Sequence, residues 1–108
     1  MSFVDEFNAM TKKLHDTAVS KGFWEDECND GEKIALMHSE LSEVLEGIRH
    51  GNPPDDKIPE FSSAEAELAD TIIRIMDYAG HKGFRLAEAI IAKNNYNETR
   101  PYKHGKKF

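Results

Sequence analysis

Two pairs of acidic residues share one spacing: Glu40 with Glu43, and Glu67 with Asp70. Side chains three positions apart project from the same face of a helix. At about 100° per residue, Glu40 and Glu43 fall in a stripe beside the apolar face of their helix, not opposite it. Glu67 and Asp70 flank the apolar arc of theirs in the same way. If the two helices pack antiparallel, four carboxylates converge on one partly buried spot. Like charges that close repel, and burial makes each costlier. Either some of them take up protons or a cation neutralises them. An all-oxygen donor set suits Mg²⁺ or Mn²⁺ better than zinc or copper.

The pairs alone do not decide between a metal site and a solvated acidic face. Twenty of the 108 residues are Asp or Glu, so acidic pairs at helical spacing arise by chance. Glu46 continues the spacing but points away from the core. A di-iron bundle of the ferritin kind needs Glu-x-x-His, and no Glu here has a His three positions on.

The elements that must position these acids read as four helices, with no convincing strand. Phe3, Phe7, Met10, Leu14 and Ala18 form an amphipathic stripe that Gly22 ends. Asn29 with Glu32 reads as a capping box opening a second helix. Ile34, Met37, Leu41, Val44, Leu45 and Ile48 form its apolar face, and Gly51 with Pro53-Pro54 stops it. A polar, proline-containing loop runs from Gly51 to Phe61. Ser62 with Glu65 is a second capping box, opening a helix to about Ala79 with Leu68, Ile72, Ile75, Met76 and Ala79 inward. Gly80 and Gly83 bracket a turn before a fourth helix, about Phe84 to Asn97, with Leu86, Ala89 and Ile90 on its inner face. Residues 98–108 form a basic tail without periodicity. The expected fold is one all-α domain, a four-helix bundle over residues 1–108. Its apolar faces, with Ala69 and Ile73 well round from the main stripe, are too wide for four short helices to cover, so a two-fold dimer is expected.

Composition narrows the function classes. The formal net charge of −6 is a poor match for a nucleic-acid backbone, and an anionic substrate would need a cation between itself and the acids. No apolar run approaches the roughly 20 residues that span a bilayer. The acidic start of the chain does not read as a signal peptide. The single cysteine, Cys28, rules out an internal disulfide, reads as a small buried or half-buried side chain, and makes a cytoplasmic location the expectation.

The string Ser39-Glu40-Leu41-Ser42-Glu43, then 23 residues, then Glu67-Leu68-Ala69-Asp70, resembles the MazG-like signature. That signature is two adjacent acids with a third three positions on, a loop, and Glu-x-x-Asp. With Lys93, Asn97 and Arg100-Pro101 downstream, the match covers about Glu32 to Phe108. The first acidic position of the pattern is Ser39 here. The resemblance implies an all-α nucleoside-triphosphate pyrophosphatase fold, assembled as a homodimer or homotetramer. It implies hydrolysis of nucleoside triphosphates between the α and β phosphates, giving a monophosphate and pyrophosphate in nucleotide-pool housecleaning. Carried over, Glu40, Glu43, Glu67 and Asp70 would hold Mg²⁺, for which Mn²⁺ could substitute. A carboxylate not fully engaged by metal could take a proton from water, and Glu43 is the candidate for that part, with Glu40 the other catalytic residue.

Substrate contacts are sought on the fourth helix and before the second. The inner stripe of the fourth helix turns polar at Lys93 and Asn97, which suggests that end opens into a site. In similar proteins a Lys and an Asn at matching positions contact the nucleotide. Arg100 could grip phosphate with two donors, and Lys103, His104, Lys106 and Lys107 could close over it. Trp24, next to Phe23, could stack on a base or plug the core. Arg74 is expected to pair with Asp70 or Asp77. Phosphoribosyl-ATP pyrophosphohydrolase activity, on the same kind of bundle, is the enzymatic alternative, and a non-catalytic helical dimer that binds a partner is the alternative from another class.

Overall fold

The computed structural model describes residues 2–26 and 29–108. Cys28, for which a buried or half-buried position is expected, lies outside them. Four α-helices follow in order: α1 (Phe3–Ser20), α2 (Asp30–Arg49), α3 (Ser63–Lys82) and α4 (Leu86–Glu98), then one 3₁₀ turn, Tyr102–Gly105. Among the described residues there is no strand, only an isolated bridge between Pro54 and Ser62. Among the described residues no helix is long and apolar enough to cross a membrane.

Local chemistry sets the helix ends. The side chains of Ser2, Asn29 and Ser62 each accept the backbone N–H three residues on, satisfying a donor the helix leaves free. Only Ser62 with Glu65 forms the full reciprocal box; Asn29 and Glu32 make one half of the expected one. The α2–α3 loop is tied down by side chains: Asn52 Oδ1 accepts the Ala64 N–H at 2.8 Å, and the Asp55 carboxylate accepts the N–H groups of Lys57 and Ile58.

Gly80 does not break α3. It lies inside the helix, against α1, where a Cβ would meet Thr11 Cγ2 at 2.8 Å. Its lack of a side chain lets the two helices approach, and the turn comes three residues later at Gly83, whose φ of 72° suits glycine.

The third helix is the central strut, packed against α2 on one side and α1 on the other, with α4 leaning on α1. Among the described residues it supplies five of the six that are buried, namely Ala64, Ala66, Thr71, Met76 and Ala79; the sixth is Ala87 of α4. Asp30 at the start of α2 meets Lys82 at the end of α3 at 3.2 Å, and Gly47 near the end of α2 lies against Ser63. The pair is therefore antiparallel, as the acidic constellation requires.

Several stripes expected to face inward stay open. Leu41, Leu45 and Ile48 of α2 and Leu68 and Ile72 of α3 are exposed. On α4 the buried residue is Ala87, while Ala89 and Ile90 are exposed. That helix is apolar from Leu86 to Ala92 except at Glu88, so periodicity does not mark which side meets α1. The exposed surface of the chain is 8265 Å², against about 6,100 Å² for a compact monomer of this mass. Its radius of gyration is 16.2 Å where about 13 Å is usual for this length.

Candidate functional site

Three of the four acids meet. Glu40, Glu67 and Asp70 each offer a carboxylate oxygen, and these oxygens lie within 4.8 Å of one another. Antiparallel packing of α2 on α3 brings Glu40 opposite Glu67, and the helical repeat places Asp70 one turn further on. Glu43 is exposed and stands outside this close group. Ser39, at the position where the resemblance has an acid, turns back on its own helix and donates to the Leu36 carbonyl at 2.7 Å.

The carboxylates perturb one another. Burial, a shared hydrogen bond with Glu40 and the charges of Glu40, Asp70 and Glu43 push the Glu67 carboxyl up to about 7. Burial and the Glu40 charge also raise Asp70, partly offset by Arg74. Arg74, expected to pair with Asp70 or Asp77, pairs with Glu40 instead: its Nε donates to Glu40 Oε1 at 3.0 Å. A helical residue four positions on from Asp70 can reach across the seam to α2, where the Glu40 carboxylate is largely shielded from solvent. A spot where protonation is already favoured, with oxygen donors alone, fits a hard divalent cation, which would displace the protons.

Glu40 and Asp70 also line a cavity of about 390 Å³ between α1, α2 and α3. Its walls are largely apolar, with Leu14 and Ala18 of α1, Met37 of α2 and Ile73 of α3, and Phe23 and Lys21 also line it. Asp70, Ile73, Arg74 and Asp77 enter it at steps of three and four, one face of α3. This size and this mixture of apolar wall and few polar groups are typical of small-molecule pockets.

In the cavity wall, Asp77 is the hub of a network that spacing could not reveal. His15 Nδ1 donates to its Oδ1 at 2.7 Å, and the Trp24 indole N–H donates to both its oxygens. His81 stacks on Trp24 with ring centroids 3.8 Å apart, and Lys33 Nζ lies 3.8 Å from the Trp24 ring centroid. Trp24 thus has neighbours where a base would stack, and it does not line the cavity; Phe23 does. The partners come from three separate segments, so no local pattern announces them.

Lys93, Asn97 and Arg100 are not brought to this cavity. Lys93 and Arg100 both sit near the Tyr96 ring, 5.5 and 5.6 Å from its centroid. Asn97 is half-buried, with its Oδ1 shielded from solvent and without a hydrogen-bond partner among the described residues. The basic tail curls into its own 3₁₀ turn and lies exposed. Compared with known protein families, curated proteins and solved structures, the chain matches none.

Proposed function

We propose that this chain is a Mg²⁺-dependent nucleoside-triphosphate pyrophosphohydrolase of the MazG-like kind, cleaving between the α and β phosphates. The observation that carries the reading is a juxtaposition: Glu40 and Asp70 belong at once to the close carboxylate group and to the wall of a nucleotide-sized cavity. A ligand whose phosphates meet a cation at the acids would place its apolar, aromatic part against Phe23, Met37 and Ile73.

Glu40, Glu67 and Asp70 would hold the cation, with Glu43 beside them. When bound, it supplies neutralisation of the charge that builds on the phosphate oxygens and a more acidic water. The residues of the chain do the rest. Glu43, exposed and outside the close group, is free to accept a proton. Arg74, held by Glu40 in the cavity wall, would present its guanidinium to the phosphates. The apolar wall keeps water from the base side of the ligand, which strengthens each polar contact made there.

The active unit in this reading is a homodimer or a pair of dimers. Surface in excess by about 2,000 Å² over a compact monomer is of the size that a permanent homodimer buries. The open apolar row of Leu41, Leu45, Ile48, Leu68 and Ile72 is where it would go. A second copy could also bring Lys93, Asn97 and Arg100 toward an acid cluster from which they are absent in one chain.

The test is pyrophosphate release from canonical, deoxy and modified nucleoside triphosphates, with Mg²⁺ and with EDTA. Metal-dependent release with matching monophosphate is the expected result. Silence with these and with phosphoribosyl-ATP, from folded protein, would overturn the reading in favour of a partner-binding helical dimer.

A further inference from the structure

The Asp77 carboxylate is only 13% exposed and belongs to the cavity wall, yet its hydrogen bonds do not use all its capacity. A carboxylate has about four acceptor sites. Among the described residues, Oδ1 receives two donors, His15 and Trp24, whereas Oδ2 receives only the other half of the shared Trp24 N–H, at 3.1 Å. Both donors are held from behind, since Trp24 stacks on His81 and the His15 ring lies edge-on to Trp24. The carboxylate therefore cannot swing away from the cavity without giving up both.

Asp77 lies seven residues, or two turns, beyond Asp70 on the same face of α3. That is a rise of about 10 Å, comparable with the reach from the α phosphate of a nucleotide across its sugar to the far edge of its base. Between the two lie Ile73 and Arg74, with Leu14 and Met37 opposite.

We infer that Asp77 reads the base: its free Oδ2 lone pair accepts a hydrogen bond from an exocyclic amino group, so the cavity selects an amino-bearing heterocycle over its oxo counterpart. This rests on the nucleotide reading above. A carbonyl in the same place would face a carboxylate that offers no proton, and two acceptors would be buried against each other. Thr17, Lys21 and Lys33 also line the cavity, but a site that makes a hydrogen bond to a substrate group rejects the analogue lacking it far more strongly than an apolar pocket rejects a change in size.

The experiment compares kcat/KM for substrate pairs that differ at one exocyclic group, dCTP against dUTP and dATP against dITP, in wild type and in Asp77→Asn. In whichever pair is turned over, the wild type favours the amino member by at least about tenfold, the discrimination one hydrogen bond to a charged group provides. In Asp77→Asn the preference falls to within about threefold, because an amide offers both a donor and an acceptor. Circular dichroism and the emission of Trp24 check the fold of the variant. If the variant does not fold, the wild-type ratios alone decide: parity, or preference for the oxo member, overturns the assignment. An unchanged ratio in a folded variant overturns it as well. Hydrolysis of other triphosphates but of none of these four overturns the assignment too, whereas silence with every triphosphate and with phosphoribosyl-ATP, Mg²⁺ present, overturns the nucleotide reading itself, a distinct result.

Discussion

Asp77 receives the indole N–H of Trp24 on both carboxylate oxygens, at 3.0 and 3.1 Å, although the two residues stand 53 positions apart. The bond ties the segment after α1 to the face of α3 that borders the cavity. Hydrogen bonds to a charged group contribute about 1.5–3 kcal/mol each. Trp24→Phe, which keeps the ring and removes the donor, is expected to destabilise the fold by about 2 kcal/mol. Urea denaturation followed by circular dichroism checks this. Trp24 is the sole tryptophan, so its emission also reports on the cavity: Mg²⁺ with a bound nucleoside monophosphate is expected to shift it, and EDTA to restore it.

The raised Glu67 carboxyl has a defined effect on stability. Its folded value of about 7 lies above the ordinary 4.5, so the folded state holds this proton more tightly than the unfolded chain. Stability without metal therefore falls as pH rises from about 4.5 to about 7 and is flat beyond, by roughly 1–2 kcal/mol after allowance for solvent screening. Glu67→Gln removes this slope. The difference between wild-type and variant melting curves at pH 4.5 and pH 8 measures it.

Two substitutions in the acid cluster should differ in kind. Asp70→Asn removes a carboxylate that repels Glu40 and is expected to leave the metal-free protein as stable or slightly more so. Glu40→Gln also relieves repulsion but weakens the ion pair with Arg74, so it should be less stable than Asp70→Asn by about 0.5–1 kcal/mol. Both should abolish turnover and the rise in melting temperature on adding Mg²⁺, which follows RT ln(1 + [L]/Kd) in the wild type. Full activity in either would remove that residue from the site.

Close approach of α1 and α3 depends on Gly80. Alanine there gains about 1 kcal/mol of helix propensity but places a Cβ 2.8 Å from Thr11 Cγ2. Overpacking of this kind costs about 1–3 kcal/mol. Gly80→Ala is expected to be destabilising on balance, and Thr11→Ala in the same chain to recover most of the loss. Chemical denaturation of the two single variants and the double variant measures the coupling.

The open apolar row predicts self-association. Leu45 is 51% exposed on α2, in line with Leu41 and Ile48. Leu45→Glu would bury a charge in any interface formed there and is expected to convert the assembly to monomer with loss of activity. Sedimentation velocity distinguishes the species. A wild-type protein that sediments as a monomer at high concentration would refute the dimer.

Much of this architecture was legible in the residues. Ser62-x-x-Glu65, Gly51 and Gly83 mark helix ends because capping and left-handed turns are local events, satisfied within a few residues. The two acidic pairs were visible because helical spacing alone puts Glu40 with Glu43 and Glu67 with Asp70 on common faces. Gly80 misled for the same local reason, since a glycine chosen for helix contact reads like a glycine chosen to end a helix. What the sequence could not decide was which faces would meet. That Glu40 rather than Glu43 joins Glu67 and Asp70, that Arg74 turns to Glu40, and that Asp77 gathers His15 and Trp24 all depend on the rotation and register of α1, α2 and α3. Those are set by the sum of many weak packing contacts between segments far apart in the chain, and no short-range pattern records that sum.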